Sequence, residues 1–149
     1  MALGLGGCAR APQRVTFAAE SAPGAAPAAA QPAFVHLPAE QAIPQLIAAE
    51  RNASIAGDLA LLAQLWAQEG RIVDARGTDD PADDFTWPSR AAILDRYILA
   101  VFPAPPPALP SLPAPAITVQ DNAAQAVNGG DRWQFHYAEG RWWIVELHY

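Results

Sequence analysis

The run Asp131-Arg132-Trp133-Gln134-Phe135-His136-Tyr137, broken by Ala138-Glu139-Gly140 and resumed as Arg141-Trp142-Trp143-Ile144-Val145-Glu146-Leu147-His148-Tyr149, decides the architecture. Aromatic and β-branched residues alternate with polar ones on both sides of a short Gly-containing break, which is the pattern of a β-hairpin. Three of the five Trp and two of the three Tyr fall in this stretch. A chain in which much of the 52% hydrophobic content is Ala needs such heavy rings to build a core.

The break sets the expected register. A two-residue turn would demand positive φ at Glu139, unfavourable for a long side chain. A type I turn at Ala138-Glu139 with Gly140 left-handed avoids that strain and pairs Tyr137 with Arg141, Phe135 with Trp143 and Trp133 with Val145. One face then carries Trp133, Phe135, Tyr137, Trp143, Val145, Leu147 and Tyr149. The other carries Arg132, Gln134, His136, Trp142, Ile144, Glu146 and His148, with Arg132 across from Glu146. Neither face is plainly polar, so a sheet covered on both sides, with a homodimer through its outer face, is the expectation.

Working back toward the amino terminus, Asn128-Gly129-Gly130 turns into the hairpin from a strand at Ala123 to Val127. Asp121-Asn122 turns into that strand from another at Ile117 to Gln120. Pro103 to Pro115 is too dense in proline to join a ladder and reads as an extended surface loop. Ahead of it a helix starts near Pro88-Ser89, with Ile93, Leu94, Tyr97, Ile98, Val101 and Phe102 on its apolar face. Arg71 to Ala75 reads as a short strand, and Arg76 to Trp87 as a polar loop. Leu59, Leu62, Leu65 and Trp66 form a helical stripe that Asp58 caps and Gly70 stops. A first helix opens near Ile43, with Pro44 in its first turn and Gly57 at its end. The folded part is therefore expected over residues 43–149, an α+β layout with helices on one sheet face.

Residues 1–42 read as a tether. Ala, Pro, Ser, Gln and Gly dominate, with too little apolar bulk to offset ordering entropy, although Phe34-Val35-His36-Leu37 can dock on the domain. Leu5-Gly6-Gly7-Cys8 resembles a bacterial lipobox, in which the cysteine is lipidated. No Lys or Arg precedes it and the apolar run is short; a true start upstream is one repair, and an ordinary flexible N-terminus with a free Cys is the alternative. That resemblance implies an extracytoplasmic domain held to the cell envelope by a lipid on Cys8, and a cytoplasmic one without it. A net charge of -6 argues against nucleic acid or an anionic membrane surface as partner. One cysteine excludes an internal disulfide or a multi-Cys zinc site.

The order of helices and strands, with Ile117-Thr118-Val119-Gln120-Asp121-Asn122-Ala123-Ala124 and the closing Gly140-Arg141-Trp142-Trp143-Ile144-Val145-Glu146-Leu147-His148, resembles the NTF2-like superfamily, its SnoaL-like small domains in particular. Trp143 stands where such closing strands carry a second basic residue. The resemblance implies three helices packed on a curved, mostly antiparallel sheet, a cone with a pocket inside. It does not choose an activity, since the superfamily holds isomerases, cyclases, hydrolases, dehydratases and members without catalysis.

The candidate pocket residues are Trp66, Phe85, Trp87, Tyr97, Phe102, Trp133 and Phe135, with Phe85 and Trp87 as lid residues at the mouth. His136, Glu146 and His148, with Arg132, are candidates for proton transfer because His titrates near neutrality and a carboxylate can orient it. Their alternative is a solvated face with a cross-strand ion pair. Asp74 is the one carboxylate in an apolar strand and a candidate base if it points inward. Asp79, Asp80, Asp83 and Asp84 lack the spacing of a calcium loop and read as a solvated cluster. No phosphate loop or metal-ligand pair is visible, so no cofactor and no metal is expected. Two functions follow: a non-catalytic module binding a small apolar ligand or a protein, or a cofactor-free acid–base enzyme. A titratable group inside the cone separates them, while a subunit of an envelope complex would show a large apolar patch on the outer sheet face.

Overall fold

The computed structural model describes residues 30–149. Cys8 and most of the Ala/Pro-rich stretch lie outside the described residues. Helix α1 spans Ala39–Ala56, α2 spans Leu59–Leu65 and α3 spans Arg90–Arg96. The strands are β1 (Trp66–Asp74), β2 (Phe85–Trp87), β3 (Ala116–Gln120), β4 (Ala123–Asn128), β5 (Asp131–Ala138) and β6 (Arg141–His148). They form one six-stranded sheet in the order β2-β1-β6-β5-β4-β3. Only β1 and β6 pair in parallel; every other neighbour is antiparallel. The helices cover one face, giving the expected α+β cone.

Packed structure begins ahead of Ile43, which corrects the boundary expected there. A short 3-10 turn at Ala33–His36 buries Val35 completely, and Ala39 and Ala42 are buried in the first turns of α1. Pro44 thus sits inside α1 instead of opening it. Its missing N–H forfeits one helical bond, and the burial of Ala39, Ala42 and Val35 outweighs that loss. The inward stripe of α1 runs Ala39, Ala42, Ile43, Leu46, Ile47, Glu50, Ala53 and Ser54, the spacing of one helical face. Gly57 ends the helix left-handed at φ 72°, and Asp58 Oδ1 accepts from Leu61 N–H at 2.9 Å to start α2.

Helix α2 stops at Leu65, and Trp66 is the first residue of β1, where it pairs with Ile144. The helix expected to run on to Gly70 therefore ends at Leu65, and the four residues 66–69 belong to β1 instead. Between Trp66 and Arg71 the register with β6 shifts, and Gly70 lies in that irregularity. A Cβ there would stand 3.0 Å from both the Ala67 carbonyl oxygen and the Trp66 ring. Only glycine lets the bulged strand pass so close.

The hairpin register differs from the expected one. Ala138 pairs with Arg141, Tyr137 with Trp142, His136 with Trp143 and Phe135 with Ile144. The turn has two residues, Glu139 at φ 55° and Gly140 at φ 76°. Left-handed backbone at Glu139 costs about 1–2 kcal/mol, but it buys the burial of Trp142 and Ile144, each worth more than that. Val145 is then an extra residue, so that Gln134 faces Glu146, Trp133 faces Leu147 and Arg132 faces His148. Trp133, Phe135 and Leu147 point inward as expected. Trp142 and Ile144 take the inner places expected of Trp143 and Val145, and Trp133 and Trp143 lie on opposite sides of the sheet. Opposite Trp133 and Phe135, β4 presents Ala126 and Ala124, small residues that leave room for the rings.

Ser89 Oγ accepts from Ala92 N–H to cap α3, which continues as a π turn over Tyr97–Val101. The widened turn rotates the chain, so Ile98, expected inside, is exposed while Tyr97 is buried. Phe85–Trp87 is an edge strand, where a loop was expected.

Candidate functional site

A cavity of about 460 Å³ opens between α1, the α3 end with its π turn, and the inner face of β5 and β6. Glu50 and Ser54 enter from α1, Arg96 from the last turn of α3, and Tyr97 from the π turn. Asp131 and Trp133 enter from the start of β5. Ile47, Val101, Leu112 and Leu147 supply apolar wall, and Ala104 and Pro106 bring the proline-rich connector to the rim. Arg51 Nη2 donates to the Pro107 carbonyl at 3.1 Å and ties that connector to α1.

Glu50 is the chemical centre of this space. It is 8% exposed, on the apolar stripe of α1. The Tyr97 hydroxyl donates to Glu50 Oε1, and Ser54 Oγ lies 3.1 Å from the same oxygen and 2.8 Å from the Glu50 carbonyl. Glu50 Oε2 has no hydrogen-bond partner among the described residues, and the carboxyl lines the cavity. Burial raises the Glu50 pKa above the ordinary carboxylate value; the bonds from Tyr97 and Ser54 and the charges of Arg96 and Arg51 pull it back. Burial, and next the neighbouring Glu50, push Tyr97 well above the ordinary phenol value. Asp131 is likewise raised by burial, against the charge of Arg51.

Arg96 organises the adjoining aromatic wall. Its Nη2 donates to the Tyr149 hydroxyl at 2.7 Å, and its guanidinium stands 4.9 Å from the Trp87 ring centre and 5.6 Å from those of Tyr97 and Tyr149.

Neither protein-family models nor characterised protein sequences match this chain significantly. Solved structures do. An NTF2-like protein with a cystatin-like fold from Novosphingobium aromaticivorans is 21% identical, with a TM-score of 0.54 over 71% of this chain and 77% of that one. An NTF2-like superfamily protein from Salmonella enterica is also 21% identical, with a TM-score of 0.56 over 74% and 88%. An NTF2-like protein of unknown function from Pseudomonas putida is 17% identical, with a TM-score of 0.55 over 74% and 84%. This chain has an NTF2-like fold. At these identities the likeness is one of fold.

Within the NTF2-like cone, the residues singled out in the sequence separate into groups. Tyr97 and Trp133 line the cavity. Trp66 and Phe135 are buried in the core beneath it, and Phe102 stacks on Tyr97 with ring centres 6.1 Å apart. Phe85 and Trp87 form an edge-to-face pair 4.7 Å apart on β2, reaching the cavity only through Arg96. The candidates for proton transfer are not inside. Asp74 Oδ1 accepts from Arg76 N–H at 2.8 Å and shapes the turn after β1. His136 meets Asn122 Nδ2 at 2.8 Å beside a separate hollow shared with Trp143 and Arg90. Glu146 pairs with Arg71 and accepts from Gln134 Nε2 at 2.8 Å, and Arg132 donates to His148 Nδ1 at 2.8 Å. Arg132, His136, Glu146 and His148 project from the outer sheet face, where Arg132, Glu146 and His148 line one hollow and His136 lies beside another.

Glu50, Ser54, Arg96 and Asp131 were missed in the sequence. The signal for Glu50 was present: it stands seven residues after Ile43 and three after Ile47, on a helical face otherwise apolar. Asp131 had none, because its place at the rim depends on how the β4–β5 turn meets α1. Among the described residues no group of three or more His, Cys, Asp or Glu could hold a metal ion, and no helix is long and apolar enough to cross a membrane.

Proposed function

We propose that this domain is a small-molecule-binding module that takes an apolar ligand with one polar group into the cavity between α1 and the sheet. The supporting observation is the cavity itself, about 460 Å³ and partly open to solvent, where Glu50 sits beside apolar wall from Ile47, Val101, Leu112 and Leu147. That volume lies in the range of roughly 300–1,000 Å³ usual for ligand pockets, which combine apolar lining with few placed polar groups. The outer face, carrying Arg71, Gln134, Glu146, Arg132 and His148, offers less to a reading in which the sheet assembles with another protein. Calorimetry with ethylbenzene tests the proposal: saturable one-to-one binding is expected, and its loss in Ala100→Trp, which fills the cavity from an exposed position, places the probe inside. No binding by the native protein overturns it.

A second reading, cofactor-free acid–base catalysis, gains from one observation: a carboxyl with a raised pKa faces the cavity. Glu50 takes the role first assigned to Asp74, His136, Glu146 and His148. Glu50→Gln separates the readings, since it removes proton transfer while keeping the shape of the site. Turnover of a carbonyl or epoxide compound by the native protein that vanishes in this variant supports catalysis. Attachment to the cell envelope through Cys8 belongs to the same proposal, and intact-mass measurement of a diacylglycerol adduct on Cys8 checks it.

A further inference from the structure

We infer that the cavity selects an uncharged ligand by an accepting oxygen set against Glu50 Oε2, and that it releases this ligand when the carboxyl loses its proton. The inference rests on the binding reading above and deepens it.

The hydrogen count around Glu50 carries the argument. Tyr97 has one hydroxyl proton and, among the described residues, one acceptor for it, Glu50 Oε1. Ser54 Oγ lies nearer the Glu50 carbonyl, at 2.8 Å, than Oε1, at 3.1 Å, so its one proton goes first to the carbonyl. A proton on Oε1 would compete with the Tyr97 donor and leave the Tyr97 proton without its acceptor. The carboxyl proton therefore belongs on Oε2, where it is a donor facing the cavity. No cation lies within ion-pair distance of Glu50 among the described residues. Two cations line the same cavity: Arg51, whose Nη2 holds the Pro107 carbonyl while its buried Nε has no partner among the described residues, and Arg96, whose Nη2 holds the Tyr149 hydroxyl beneath its aromatic neighbours. Asp131 sits on β5 across the rim and Tyr97 donates to Glu50 itself. A ligand carbonyl is thus met by Oε2–H, whereas after ionisation it meets a bare carboxylate and is repelled. An ammonium ligand would show the reverse preference.

Three probes of similar shape test this: acetophenone, ethylbenzene and benzylamine, titrated into the native protein across pH. Acetophenone is expected to bind about tenfold tighter than ethylbenzene while the Glu50 carboxyl is protonated, a preference that fades as pH rises through its folded-state pKa. In Glu50→Gln the amide oxygen replaces Oε1 and the amide NH₂ replaces the protonated Oε2, so the preference persists without pH dependence. Glu50→Leu loses the preference and keeps ethylbenzene. Carbon NMR of the Glu50 carboxyl in the native protein shows its titration midpoint moving upward when acetophenone is added. Equal binding of acetophenone and ethylbenzene, a pH-independent preference, or tighter binding of benzylamine overturns the inference while leaving the cavity a binding site. Failure of all three probes to bind overturns both.

Discussion

A carboxyl group on the inward stripe of α1 weakens the fold in proportion to its ionisation. Burial raises the Glu50 pKa above its ordinary value of 4.5, so between these two values the folded state holds more protons than the unfolded chain. The contribution of Glu50 to stability is therefore fullest below 4.5 and is lost as pH rises through its folded-state pKa. The urea midpoint of the native protein is expected to drop across that window, and Glu50→Gln to remove the part of the drop that Glu50 supplies. An unchanged pH profile in the variant would show the carboxyl to be solvated. The outer-face pair Arg71–Glu146 is different: Arg71 is mostly exposed, and such a pair contributes under about 1 kcal/mol.

At the scale of elements, two positions hold the sheet in its observed register. Glu139 occupies left-handed backbone at φ 55° in the β5–β6 turn, a conformation Asn adopts more readily. Glu139→Asn is expected to stabilise the protein by about 1 kcal/mol in chemical denaturation. A loss of stability would mean that the Glu139 side chain makes a contact outweighing its strain. Gly70 allows β1 to bulge against β6 with its neighbours at 3.0 Å. Gly70→Ala forces the Ala67 carbonyl or the Trp66 ring to move and should destabilise by roughly 1–3 kcal/mol. Caps, by contrast, act as their local chemistry dictates: Asp58 and Ser89 each accept from the third residue onward.

For the whole molecule, the segment ahead of α1 is part of the fold. Val35 is fully buried, and His36 Nδ1 lies 2.9 Å from the Gly140 carbonyl, joining this segment to the hairpin turn. Val35→Ala is expected to cost about 2 kcal/mol by lost burial, and a chain begun at Ile43 to unfold at markedly lower urea than one begun at Ala30. Equal midpoints would place the boundary at Ile43 after all. The helices with their Gly57, Asp58 and Ser89 boundaries, the four closing strands and the α+β layering were legible in the sequence, because helical and strand periods and caps are local properties. So was the inward placement of Trp133, Phe135, Tyr97 and Leu147. The register of Trp142, Trp143 and Ile144 was not. A one-residue slip exchanges the faces of a strand, and its outcome depends on how much each alternative buries against helices far away in sequence. Trp66 was lost for the same reason, since its partner in the sheet, Ile144, lies at the other end of the chain. The candidate site divides likewise: Glu50 stood visibly on an apolar stripe, but only the tertiary structure brought it to the cavity and set the Tyr97 hydroxyl against one of its oxygens.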